Sequence, residues 1–139
     1  IPEMVTLKGT LRTFDKEVQA IATDKIFSLS KSIAEAYGGK AEIEFNYGYP
    51  VMKNSNEATE MAKTVAEKVS GKSTAYAEKI MGAEDFSYML NATKGAYILI
   101  GNGDTDSVHS PTYVFNDEIL PIGSSYWAEL VETKMQLKK

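Results

Sequence analysis

The chain contains no cysteine and a single histidine, His109. The first absence excludes disulfides, thiolate metal sites and cysteine nucleophiles. The second means that no metal centre built on several histidines can come from this chain alone. Long apolar runs are also missing. The longest strictly apolar stretch is Ala96 to Ile100, far short of a membrane span. Excess positive charge is absent too: the formal net charge is −4, which argues against a nucleic-acid or anionic-membrane surface. No targeting segment is visible, and a start at Ile1-Pro2 reads as a cut end. What remains is ordinary for a folding domain. Hydrophobic residues are 43% and charged residues 24% of the 139, enough to bury a core.

Residues 4–13 alternate, with Val5, Leu7, Gly9 and Leu11 on one face and Thr6, Lys8, Thr10 and Arg12 on the other. Period two predicts a half-buried strand. Asp15 offers an N-cap, and Phe14, Val18, Ile21, Ala22, Ile26, Leu29, Ile33 and Tyr37 form the apolar stripe of a helix over 16–37. Gly38-Gly39 suits a left-handed stop. Residues 40–49 alternate again, Ala41, Ile43, Phe45, Tyr47 and Tyr49 against Lys40, Glu42, Glu44, Asn46 and Gly48, up to Pro50. The first fifty residues therefore read strand–helix–strand. A second helix is expected over 55–69, capped by Asn54 with Glu57 in a capping box, its inward face Ala58, Met61, Ala62, Val65 and Val69. A short helix is expected over 83–90 and a fully buried strand over 96–100. A loop follows over 101–113. Asn116 caps a turn, and a last helix covers 121–137, starting at Pro121, with Trp127, Leu130, Val131 and Met135 inward. The change of context at Pro50 sets expected domains of 1–50 and 51–139.

Four features could carry chemistry, each with a plainer alternative. His109 follows the expected buried strand, at the strand end where open α/β sheets place their sites, or it is a solvated loop histidine. A serine triad is a poor fit, because Ser107 and Ser110 are too close in sequence to His109. Glu84 and Asp85 behind Gly82 put a carboxylate at a site, or start a helix at its positive end. Gly101 and Gly103 flank Asn102 and could offer backbone N–H groups to an anion, or form a plain turn. Arg12 could grip a carboxylate with its fork, or sit in solvent on an edge.

Taken in order, Gly9 to Asp15 (GTLRTFD), Gly48-Tyr49-Pro50, Met81 to Phe86 (MGAEDF), His109-Ser110-Pro111 and Phe115 to Pro121 (FNDEILP) resemble the di-metal amidohydrolase and peptidase family of aminoacylases, carboxypeptidases and hippurate or auxin-conjugate hydrolases. The resemblance is strongest to the N-acyl amino-acid amidohydrolases. It implies an α/β fold: half of a ferredoxin-like lid (1–50), then the C-terminal part of a metallohydrolase catalytic domain (51–139). It implies that Arg12 holds the substrate's carboxylate or carbonyl, that Gly101 and Gly103 line the substrate site, that Glu84 and Asp85 lie near it, and that His109 is a metal ligand. A divalent metal is implied in the parent enzyme, zinc first, manganese or cobalt otherwise. The substrates implied are small N-acyl amino acids or peptide-like amides, with no nucleic-acid or membrane partner. A homo-oligomer in the cytoplasm is expected. The remaining ligands and the general base would precede this segment, so this fragment alone is expected to be inactive and to hold metal only weakly. The rival expectation is a non-catalytic dimerisation or binding module.

Overall fold

Helix α1 runs Lys16–Ala36 in the computed structural model, which describes residues 2–73 and 77–135. Its start follows from Asp15, whose carboxylate accepts from the N–H groups of Glu17 (2.8 Å) and Val18 (3.1 Å). Its end is a Schellman arrangement. The Gly38 N–H donates to the Glu35 carbonyl and the Gly39 N–H to that of Ala34, made easy by Gly38 at φ 73°. Helix α2 is Asn56–Ser70, capped at its C-terminus by Gly71 at φ 74°. Helix α3 is Phe86–Ala92. A 3₁₀ turn at Asp117–Ile119, capped by the Asn116 side chain, leads into α4, Leu120–Lys134, with Pro121 in its first turn. Residues 136–137 of the expected last helix lie outside the described residues.

The expected strands are overturned. Among the described residues there is no β-strand, so neither the strand–helix–strand half-lid nor an α/β sheet is formed. Alternation chooses which side chains share a face, but a strand exists only when a neighbouring backbone takes its N–H and C=O groups. No ladder bond joins 4–13 to 40–49, and 96–100 lacks a strand partner as well. The face preference survives over 40–46, where Ala41, Ile43 and Phe45 are half-buried between exposed Lys40, Glu42, Glu44 and Asn46, and is lost at Tyr47 and Tyr49, which are exposed. It fails at 4–13, where Leu7 is 92% exposed.

The chain divides into two compact units, Ile1–Val51 with Lys79–Ser87, and Met52–Glu78 with Tyr88–Lys139. In the first, Phe27 of α1 meets Phe45 at 6.4 Å, Phe45 meets Tyr47 at 5.0 Å, and the Lys79 ammonium lies 5.5 Å from the Phe14 ring. The face of α1 carrying Ala22, Thr23, Phe27, Ser30 and Ala34 is half-buried. The stripe expected to be inward, Val18, Ile21, Leu29 and Ile33, is instead exposed; only Ala22 is common to both. Among the described residues nothing covers that stripe, so the ring contact at Phe27 decides which face is sheltered.

The core lies in the second unit: Ala62 and Val65 of α2 with Tyr126 of α4, flanked by Ala66, Ala96, Ile98 and Leu130. The α2 face matches its spacing. On α4 the expected anchor Trp127 is 62% exposed, while its neighbour Tyr126 is buried. Tyr126 and Trp127 meet edge to face at 5.5 Å. Lys68 of α2 pairs with Glu129 of α4 at 2.8 Å, and Thr133 donates to the same carboxylate oxygen at 3.0 Å.

Candidate functional site

Irregular backbone in the second unit is organised by side-chain amides. Asn54, expected as the α2 cap, is one residue too early. Ser55 takes the cap, accepting from the Ala58 N–H. Asn54 instead reaches residue 97: its Nδ2 donates to the Tyr97 carbonyl and its Oδ1 accepts from the Tyr97 N–H, both at 2.9 Å. The Ser55 N–H donates to the Gly95 carbonyl at 2.9 Å. A carboxamide has one donor side and one acceptor side, so here it replaces the strand neighbour that 96–100 lacks.

The same device recurs around His109. Asn102 Nδ2 donates to the Val114 carbonyl at 2.7 Å, and its Oδ1 accepts from the Asn116 N–H at 2.8 Å. The Thr105 hydroxyl spans to both the N–H and the C=O of Val114 at 3.3 Å. Nearer the tip, the Thr112 hydroxyl donates to Asp106 and meets the Ser110 hydroxyl at 2.8 Å. At the tip, the Ser110 N–H closes a turn onto the Ser107 carbonyl at 3.0 Å. His109 is the third residue of that turn, with φ 79°. This left-handed position suits glycine. A side chain there costs about 1–2 kcal/mol and persists only where its surroundings over-determine it. His109 is exposed at the end of the loop.

Glu84 stands at the start of α3, where its side chain accepts from the Phe86 N–H at 3.3 Å and its carbonyl accepts from Ser87. It is half-buried, and Asp85 is exposed. Arg12 is exposed in the irregular segment before α1. Arg12, Glu84 and Asp85 thus fall in the first unit, whereas Gly101, Gly103 and His109 share one loop of the second. Among the described residues no three histidine, aspartate or glutamate side chains come together as a metal-binding group. The residues present therefore do not build a metal centre around His109. Spacing does not reveal the cross-loop roles of Asn102 and Thr105, nor that Asn116, expected as a turn cap, also donates its N–H to Asn102. The asparagine between two glycines was read only as part of a turn, although asparagine's ability to hydrogen-bond backbone was the available signal. A separate groove of about 440 Å³ is lined by Ser55, Met61, Ile98, Trp127 and Leu130, and it shares no residue with the His109 loop.

A model of peptidase family M20/M25/M40 matches residues 3–133. The chain belongs to this family. Among curated proteins it is similar to a hippurate hydrolase of Campylobacter jejuni, 33% identical over 132 residues that cover 94% of this chain and 34% of the relative. It is likewise similar to an N-acetylcysteine deacetylase of Bacillus subtilis, 30% identical with 94% and 34% covered. A thermostable carboxypeptidase of Saccharolobus solfataricus is 28% identical, with 89% and 33% covered. The M20 chain thus spans about a third of the length of these relatives. No solved structure matches it. Among the described residues, no helix is long and apolar enough to cross a membrane.

Proposed function

We propose that this M20 segment serves a metal-dependent amidohydrolase that cleaves N-acyl amino acids or peptide-like amides. The observation that carries the reading is His109: a lone imidazole held in a left-handed turn at the exposed tip of a cross-braced loop. Neutral imidazole is a good ligand for a divalent metal, zinc first and manganese or cobalt otherwise, and in such enzymes the metal supplies an activated water. The other donors are not assembled among the described residues. Arg12 offers a planar fork suited to a substrate carboxylate. Gly101 and Gly103 bring backbone N–H groups without a Cβ in the way. Glu84 and Asp85 are near-site carboxylates, with Glu84 also holding the start of α3.

The reading has a direct test. The chain by itself is expected to take up zinc without one tight stoichiometric site, and not to hydrolyse hippurate or N-acetyl amino acids. Calorimetry showing one tight zinc lost in His109→Ala, or turnover lost in Arg12→Ala, overturns the view that the donor set is incomplete here. Exchanged for the matching third of the Campylobacter enzyme, the segment is expected to support hippurate hydrolysis that depends on both residues. Hydrolysis indifferent to both substitutions sinks their assignment.

A second reading, a dimerisation or binding module, is supported by the exposed apolar stripe of α1, with Val18, Ile21, Leu29 and Ile33 all more than half exposed. A second copy is the occupant we propose for it. Light scattering is expected to give an assembly larger than 15.3 kDa that Ile21→Glu dissociates; a wild-type monomer at micromolar concentration rejects it.

A further inference from the structure

The loop that carries His109 has no regular structure of its own, and the bonds across it are made largely by side chains. Three rungs follow one another from base to tip. Asn102 bridges to Val114 and Asn116, Thr105 bridges to Val114, and Asp106 accepts from Thr112. The base rung is also tied to the body of the unit. Asn116, which donates its N–H to Asn102, accepts from the Glu118 N–H at 3.0 Å and so opens the turn into α4, the helix that buries Tyr126. From the turn into α4, bonds run through Asn116 to Asn102, which shares Val114 with Thr105, and nearer the tip through Asp106, Thr112 and Ser110 to the turn of His109.

We propose that Asn102 and Thr105 are positioning residues: their side-chain rungs set the register of 103–113 and keep His109 in its left-handed turn. The proposal deepens the reading of His109 as a metal donor and rests on it for its functional meaning. The Asn102 carboxamide and the Thr105 hydroxyl each have both donor and acceptor capacity. Asn102→Ala removes both bonds at the base, and Thr105→Val keeps shape while removing the hydroxyl. With the rungs gone, the tip is free to relax to the negative φ that histidine prefers.

The test uses the one histidine of the chain, whose magnetic resonance signals need no disentangling from others. In the wild type, His109 is expected to show the strong amide-to-Hα Overhauser effect of a left-handed residue. In Asn102→Ala that effect weakens, the imidazole resonances shift, and amide exchange at Asn116 quickens roughly tenfold, while helical circular dichroism stays unchanged. Thr105→Val moves the His109 signals the same way by less, and Thr105→Ser restores them. Should Asn102→Ala fail to fold, the Thr105 pair alone decides the matter. Unchanged His109 signals in both Asn102→Ala and Thr105→Val overturn the proposal, as does a Thr105→Ser variant that behaves like valine. None of these readouts needs metal or turnover. If His109 proves irrelevant to hydrolysis in the chimera yet moves in Asn102→Ala, the positioning stands and the donor role falls. If hydrolysis needs His109 but its signals ignore Asn102 and Thr105, the reverse holds.

Discussion

Residues 40–49 and residues 95–116 are both irregular, and they are held in opposite ways. The first segment leans on rings, Phe45 between Phe27 and Tyr47, and its polar pair Lys40–Glu42 is exposed. The second is fixed by directional bonds from Asn54, Asn102 and Thr105, beside a core containing the fully buried Val65. Ring contacts tolerate sliding, because their energy varies slowly with angle and offset. A carboxamide on two backbone groups permits one register. A loop that must present one side chain at one place needs the second kind of support, and that is the loop on which His109 sits. The apolar side chains buried among the described residues, Ala62, Val65 and Tyr126, all belong to the second unit.

The sharpest way to break this contrast is at its extremes. Val65→Ala is expected to cost about 2 kcal/mol, read as a lower urea midpoint. Phe45→Ala, among half-exposed rings, is expected to cost less than about 1 kcal/mol by the same measurement. Equal losses would show that the first unit is sheltered as well as the second. Next comes Asn54→Ala, which removes both bonds to the Tyr97 backbone. We expect about 1–2 kcal/mol, with faster amide exchange at Tyr97. A neutral result would mean that apolar packing around Ala96 and Ile98 suffices without the carboxamide. The smallest effect concerns pH. Bonds from Lys68 and then Thr133 hold the Glu129 carboxyl below its ordinary value of 4.5. A carboxyl lowered on folding stabilises above its unfolded value, and that share is lost as pH falls through the folded one. Compared with Glu129→Gln, the wild type is therefore expected to keep a slight stability advantage near neutrality that fades below about pH 4.5. An advantage that grew on acidification would contradict the α2–α4 pair.

Much of the helical part of the fold was legible. Asp15, Gly38-Gly39, Asn116 and Pro121 are local signals, because capping depends on atoms within a few residues of the helix end. The spacing of α2 named its buried face correctly, since Ala62 and Val65 do meet a partner in Tyr126. Spacing misled on α1 and α4 for one reason: it shows that a helix has an apolar face, not whether another element covers it. Val18, Ile21 and Trp127 are exposed despite their periodicity. His109 was legible as a residue, and its family motif with it, but its left-handed turn and the rungs beneath it were not.

The sequence by itself determined most helix ends, though it set the α2 cap at Asn54 where Ser55 serves, and the short helix at 83–90 where Phe86–Ala92 forms; through five ordered motifs it determined membership of the M20 family. Those properties are written in short stretches, where chemistry depends on near neighbours. Only the tertiary structure decided that 4–13, 40–49 and 96–100 are not strands, because pairing needs a second backbone that no stretch can supply for itself. It alone decided that Asn54 serves Tyr97 rather than a helix end, across 43 residues of chain. It also decided that Asn102 closes the loop of His109, because a carboxamide takes whichever backbone partners the fold brings within about 3 Å.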